Sequence, residues 1–179
     1  MNDALRLDTL ANMGLWLLIA AVLTLGRLLP LSGPELALPG PEVLVALTMA
    51  WVLRRPAHVP APAIVLVFLA EDLLLMRPPG LWALTMLAGT EFLRRRQSVV
   101  RQMNLLLEWA FVGATMVVMT MAYRVALVLL MTPRPPLDLS VVKLVFTVLI
   151  YPVVVLLLQG VLRVRKPATG EVDERGRRL

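Results

Sequence analysis

Apolar residues fall in long blocks along the chain, broken by short clusters of proline, glycine and arginine. Thr9 to Gly26 runs 18 residues without a charge, and Leu144 to Leu162 runs 19. About 20 apolar residues in an α-helix cross the ~30 Å hydrocarbon core of a bilayer. Applied along the chain, the pattern predicts six helices. The first covers Leu10 to Leu29 and is closed by Pro30, Gly33 and Pro34, which remove donors and fix backbone angles. The second lies between Glu35 and Arg54. The third begins after Pro60 and Pro62 and stops at Arg77-Pro-Pro-Gly80, and the fourth covers Leu81 to Leu93. The fifth runs from Asn104 into the 120s, before Pro133, Pro135 and Pro136. The sixth is Leu144 to Leu162, with Pro152 inside it; a mid-membrane proline kinks a helix rather than ending it. Residues 164–179 are charged and carry glycine, so a disordered tail is expected after a membrane domain spanning 1–163.

Composition agrees with this pattern. Hydrophobic residues make up 59% of the chain, against about 45 to 50% in soluble domains even with glycine counted. The net charge of +6 could mark a nucleic-acid binder, but the placement of the cations excludes that class. With the N-terminus in the cytoplasm, Arg6, Arg54, Arg55, Arg94, Arg95, Arg96, Arg101, Arg163, Arg165, Lys166, Arg175, Arg177 and Arg178 fall inside. Only Arg27, Arg77, Arg134 and Lys143 fall outside. That asymmetry predicts six spans with both termini cytoplasmic. The first apolar block is longer than a signal-peptide core and lacks a small-x-small cleavage site, so it reads as a retained helix.

The supply of catalytic groups is poor. There is no cysteine and one histidine, His58, which alone cannot build a zinc or facial-triad site and is expected in a solvated loop. Ser32, Ser98 and Ser140 sit near helix ends, outside any Gly-x-Ser-x-Gly turn. Phosphate-cradling glycine loops are absent. The chain therefore reads as non-enzymatic and without a cofactor or metal.

Ionisable residues inside apolar stretches are functional candidates by default. They are Glu42, Glu71, Asp72, Glu91, Glu108 and Arg124. Glu91 and Glu108 lie close in sequence to Arg94 and Arg101, which predicts local pairing near the cytoplasmic headgroups. Arg124, about 30 Å along the fifth helix, is expected to snorkel to the outer interface. Asp72 lies roughly 18 Å deep from Pro60, too deep for so short a side chain to snorkel. Arg27 and Arg124 are its candidate ion-pair partners, with Arg77 poorly placed and Glu71 pointing elsewhere. Met116, Met119 and Met121 read as adaptable packing. Small residues at four-residue spacing, Ala110 with Ala114 and Ala122 with Ala126, would let another helix approach the fifth closely. Gly113 and Gly89 join Ala114 as candidate contact positions.

Over residues 39–96 the order of motifs is informative: Pro41-Glu-Val-Leu-Val-Ala-Leu-Thr-Met-Ala-Trp-Val-Leu-Arg-Arg-Pro56, Asp72-Leu-Leu-Leu, Pro79-Gly80-Leu and Glu91-Phe-Leu-Arg-Arg-Arg96. This stretch, with Tyr151-Pro152 in the sixth helix, resembles the MreD family of rod shape-determining membrane proteins. The resemblance implies a six-helix fold similar to the substrate-binding components of energy-coupling-factor transporters. It also implies a subunit of the cell-elongation machinery that binds MreC and, through it, MreB, RodA and a class B penicillin-binding protein. It places Trp51, Arg55, Pro56 and Gly80 beside Asp72 and Glu71 among the candidate residues. Self-association is left open. A vitamin-type transporter component and a membrane-embedded lipid-processing enzyme are the competing classes. The first would need convergent polar groups, of which Asn12, Thr115, Thr120, Thr147 and Gln159 are the supply. The second would need several acids near one membrane face, which only Glu71 with Asp72 approaches.

Overall fold

The computed structural model describes residues 2–29 and 40–160, and among them every regular element is helical. In chain order these are α1 (Asn2–Leu28), α2 (Val43–Arg54), a 3₁₀ turn (Pro56–His58), α3 (Ala61–Leu74), α4 (Leu81–Arg95), α5 (Gln97–Arg101), α6 (Leu105–Leu129) and α7 (Leu137–Gly160).

Local chemistry sets the boundaries. Pro60 and Pro62 open α3, where a missing N–H costs nothing because the first turn has no intrahelical acceptor for it. Beyond α3, Met76 adopts φ 52°, and Pro79-Gly80 forms the centre of a turn closed by Leu81 N donating to the Pro78 carbonyl at 3.3 Å. Gly80 supplies the φ of 84° that this turn requires. Asn104 caps α6, its side-chain oxygen accepting from Leu107 N at 2.9 Å. Pro152 stays within α7, which runs on to Gly160.

The core is organised around α2. Every residue from Leu44 to Arg54 is buried, as expected of a helix that is apolar all round and enclosed by others. It packs chiefly on α7 and also on α4 and α1. Trp16, Trp51, Phe68, Met86 and Tyr151 fill the space between them. The outer helices turn apolar side chains outward. Leu18 is 62% exposed on α1, Val118 67% on α6 and Leu156 59% on α7. Such a surface is unfavourable in water and natural against lipid tails. Three segments, Thr9–Leu28, Leu105–Leu129 and Leu137–Gly160, are long and apolar enough to cross a membrane.

Several expectations change in detail. Helix α7 starts at Leu137 rather than Leu144, because Lys143 is accommodated inside it against a buried carboxylate. Helix α2 starts at Val43, with residues 35–39 outside the described region. The Arg94–Arg101 segment, expected as a loop, contains α5. His58, expected in solvent, is buried. The expected tail, 164–179, also lies outside the described residues.

Candidate functional site

Polar groups gather at two ends of the bundle. At the first, Glu42 immediately precedes α2 and acts as a hub. Its Oε1 lies 3.3 Å from Arg27 Nη2 at the end of α1 and 3.2 Å from Arg77 Nη2 after α3. It also pairs with Lys143 Nζ in α7. Its backbone N donates to Thr147 Oγ1 at 2.9 Å. Glu71, fully buried, receives the other amine of Arg27. One carboxylate thus draws three chain segments together, and a second anchors α1 to α3.

Asp72 is not part of this ion-pair web. Its Oδ2 accepts from the backbone N–H groups of Gly80 at 3.0 Å, Trp82 at 3.2 Å and Ala83 at 3.3 Å. These are the first donors of α4, which have no acceptor within their own helix. The carboxylate is also favourably placed at the positive end of the helix dipole. Asp72 is therefore the cap of α4, supplied from α3. The expected ion pair fails because Arg27 is taken by Glu71 and Glu42, while Arg124 donates to Ser140 Oγ at 2.7 Å and to the Pro135 carbonyl at 3.3 Å. Rather than snorkelling free, Arg124 braces α6 against the start of α7. Glu71 does point away from Asp72, as expected.

At the other end, Arg54 is fully buried and its Nη1 sits 2.9 Å from Glu108 Oε1. The Tyr151 hydroxyl donates to the same oxygen at 2.7 Å. Glu108 is 1% exposed, so its carboxylate is enclosed by the core at the start of α6. Arg54 is the residue that sequence reasoning passed over. Both arginines count among the cytoplasmic cations and the resemblance singles out Arg55, but the structure buries Arg54 and leaves Arg55 half-buried. An acid in the first turn of one helix and a tyrosine inside another were the available signals. Nearby, Arg94 Nη2 donates to the Val59 carbonyl at 2.8 Å, Arg94 Nε lies 3.1 Å from Glu91, and Gln97 Nε2 donates to the Leu53 carbonyl at 3.1 Å. Pro56 offers its carbonyl to Arg94 at 3.4 Å. Glu91 pairs locally, as expected, and Trp51 is a buried core residue.

Between α4 and α6 lies an apolar groove of about 570 Å³. Leu84, Ala88, Phe92, Ala114, Val118 and Ala122 line it. Its floor is closed by Met119 packed onto Gly89, where an added Cβ would collide with the thioether. Gly113 faces the opposite way, and a Cβ there would meet Val148 Cγ1 at 3.2 Å. Of the three small positions singled out, only Ala114 is exposed for contact with another molecule; Gly89 and Gly113 serve packing within the chain. Met116 and Met119 are buried packing residues, whereas Met121 is 44% exposed.

No set of three or more metal-ligating side chains occurs among the described residues. No family model, curated protein or solved structure matches the chain.

Proposed function

We propose that this chain is a non-enzymatic, MreD-like scaffold of the bacterial inner membrane, which holds the single transmembrane segment of an MreC-type partner in the groove between α4 and α6. The observation that carries this reading is the groove itself. Helices within lipid gain nothing from hydrophobic expulsion and associate where small residues allow close backbone approach. Ala88, Ala114, Ala122 and Ala126 provide that approach along one exposed apolar trough.

Six passes with both termini cytoplasmic are part of the proposal. The contacts alternate between two ends in chain order: Arg27 and Glu42 at one, Leu53 and Val59 at the other, Arg77 back at the first, Arg94 and Gln97 at the second, Lys143 again at the first. At 12, 14 and 15 residues, α2, α3 and α4 rise only about 18 to 23 Å each. Local thinning of the bilayer and the polar turns at each end accommodate that deficit. The charge asymmetry supports an orientation with the Arg54 end in the cytoplasm. MreB, RodA and a class B penicillin-binding protein would be reached through the partner.

Affinity purification from native membranes tests this reading. The wild-type chain should retain a stoichiometric single-span protein, and Ala114→Leu should lose it at an unchanged membrane level. Retention by Ala114→Leu and Ala122→Leu alike would exclude the groove as the contact.

A further inference from the structure

A second cavity, of about 560 Å³, opens at the Glu42 end between α2, α4, α6 and α7. Its walls are apolar, with Met49, Trp82, Met116, Met119, Leu127 and Leu144 prominent. Its mouth is formed by the turns after α3 and α6, where Met76 stands 93% exposed. Charge at this mouth is unbalanced. Arg77, Arg124 and Lys143 line the cavity, and Glu42 is the one carboxylate that does so among the described residues. Three positive charges against one negative leave a surplus of two. Behind the lining, Arg27 is matched by Glu71 and Asp72 acts on Arg77 from α3, which leaves a surplus of one positive charge among the described residues. Arg124 is held by neutral groups, the Ser140 hydroxyl and the Pro135 carbonyl, and among the described residues no ion pair cancels its charge. The volume lies within the range of about 300 to 1,000 Å³ typical of small-molecule sites.

From this combination we infer that the cavity binds an anionic amphiphile, a membrane lipid whose phosphate headgroup meets Arg124, Arg77 and Lys143 and whose apolar chain enters between Met49, Trp82 and Met116. Guanidinium groups recognise phosphate through charge-assisted hydrogen bonds. The apolar walls select a ligand with a tail over the bare anion. Lipid is also the surrounding solvent of α6 and α7, so such a ligand reaches the mouth laterally. This cavity opens away from the α4–α6 groove, with Met119 as the wall the two share, and the inference does not depend on the partner proposed for that groove.

Native mass spectrometry of the full chain released from detergent tests it, with dioctanoyl phosphatidylglycerol and dioctanoyl phosphatidylcholine as probes. The expected result is retention of one phosphatidylglycerol in preference to phosphatidylcholine. Arg124→Gln, which leaves no carboxylate stranded, should weaken phosphatidylglycerol binding about tenfold. Thr120→Trp, which fills the cavity and keeps every cation, should abolish it. Equal retention of the two lipids by the wild type, or wild-type binding by both variants, would overturn the inference. Displacement of the lipid by inorganic phosphate at equal concentration would overturn it too, since it would assign the site to the free anion.

Discussion

Arg54 and Glu108 meet at 2.9 Å with neither side chain reached by solvent, joining the end of α2 to the first turn of α6. Tyr151 of α7 donates to the same carboxylate oxygen, so three helices converge on one buried ion pair. Removing one member of such a pair strands the other charge, which typically costs about 3 to 5 kcal/mol, whereas replacing both with apolar groups of similar size is often neutral or better. Arg54→Met and Glu108→Leu should each lower the thermal unfolding temperature of the detergent-solubilised protein strongly. The double variant should recover most of that loss. Equal destabilisation by the double variant would show that the pair does not act as a unit.

Asp72 predicts a different signature. As the cap of α4 it needs an acceptor oxygen and not a full charge. Asp72→Asn should retain most of the contact with Gly80, Trp82 and Ala83, and Asp72→Leu should leave those donors unsatisfied, at about 1 to 3 kcal/mol. Thermal unfolding of the two variants separates the cases. A loss as large for Asn as for Leu would point to charge as the dominant requirement.

The glycines and the alanine on α4 and α6 should part company. Gly89→Leu and Gly113→Leu drive side chains into Met119 and Val148 and should reduce the amount of folded protein in the membrane, since overpacking costs about 1 to 3 kcal/mol or more. Ala114→Leu projects into an exposed groove and should leave the fold intact. Membrane level and unfolding temperature across the three variants check this.

Topology is checked by reporter fusions. Alkaline phosphatase fused after Arg101 should be inactive and a fusion after Arg134 active. Activity at the first position would contradict six passes with cytoplasmic ends.

Much of this was legible from the sequence and some was not, for physical reasons. Long apolar runs and proline clusters locate the helices, because length and backbone chemistry are local properties; α6 begins at Leu105, beside the expected start at Asn104. Charges were harder. A charged residue marks a helix end by composition, yet Lys143 and Arg54 lie within helices because distant carboxylates, Glu42 and Glu108, meet them there. Asp72 could be recognised as buried and consequential from its depth. Its partners could not, since they are backbone N–H groups of another helix and carry no side-chain signature. Likewise Gly89, Gly113 and Ala114 are equally small in sequence, and only the rotation of α4 and α6 tells inward from outward.

The groove between α4 and α6 carries the functional proposal, and photocrosslinking probes it directly. A photoreactive amino acid placed at Ala114 in the otherwise native chain, irradiated in intact bacterial membranes, should give one discrete adduct with a single-span membrane protein of the MreC type. The same probe at Leu129, 76% exposed on α6 and outside the groove lining, should give none. An Ala114 adduct consisting of a second copy of the chain, or no protein adduct from a folded, membrane-inserted variant, would contradict the account.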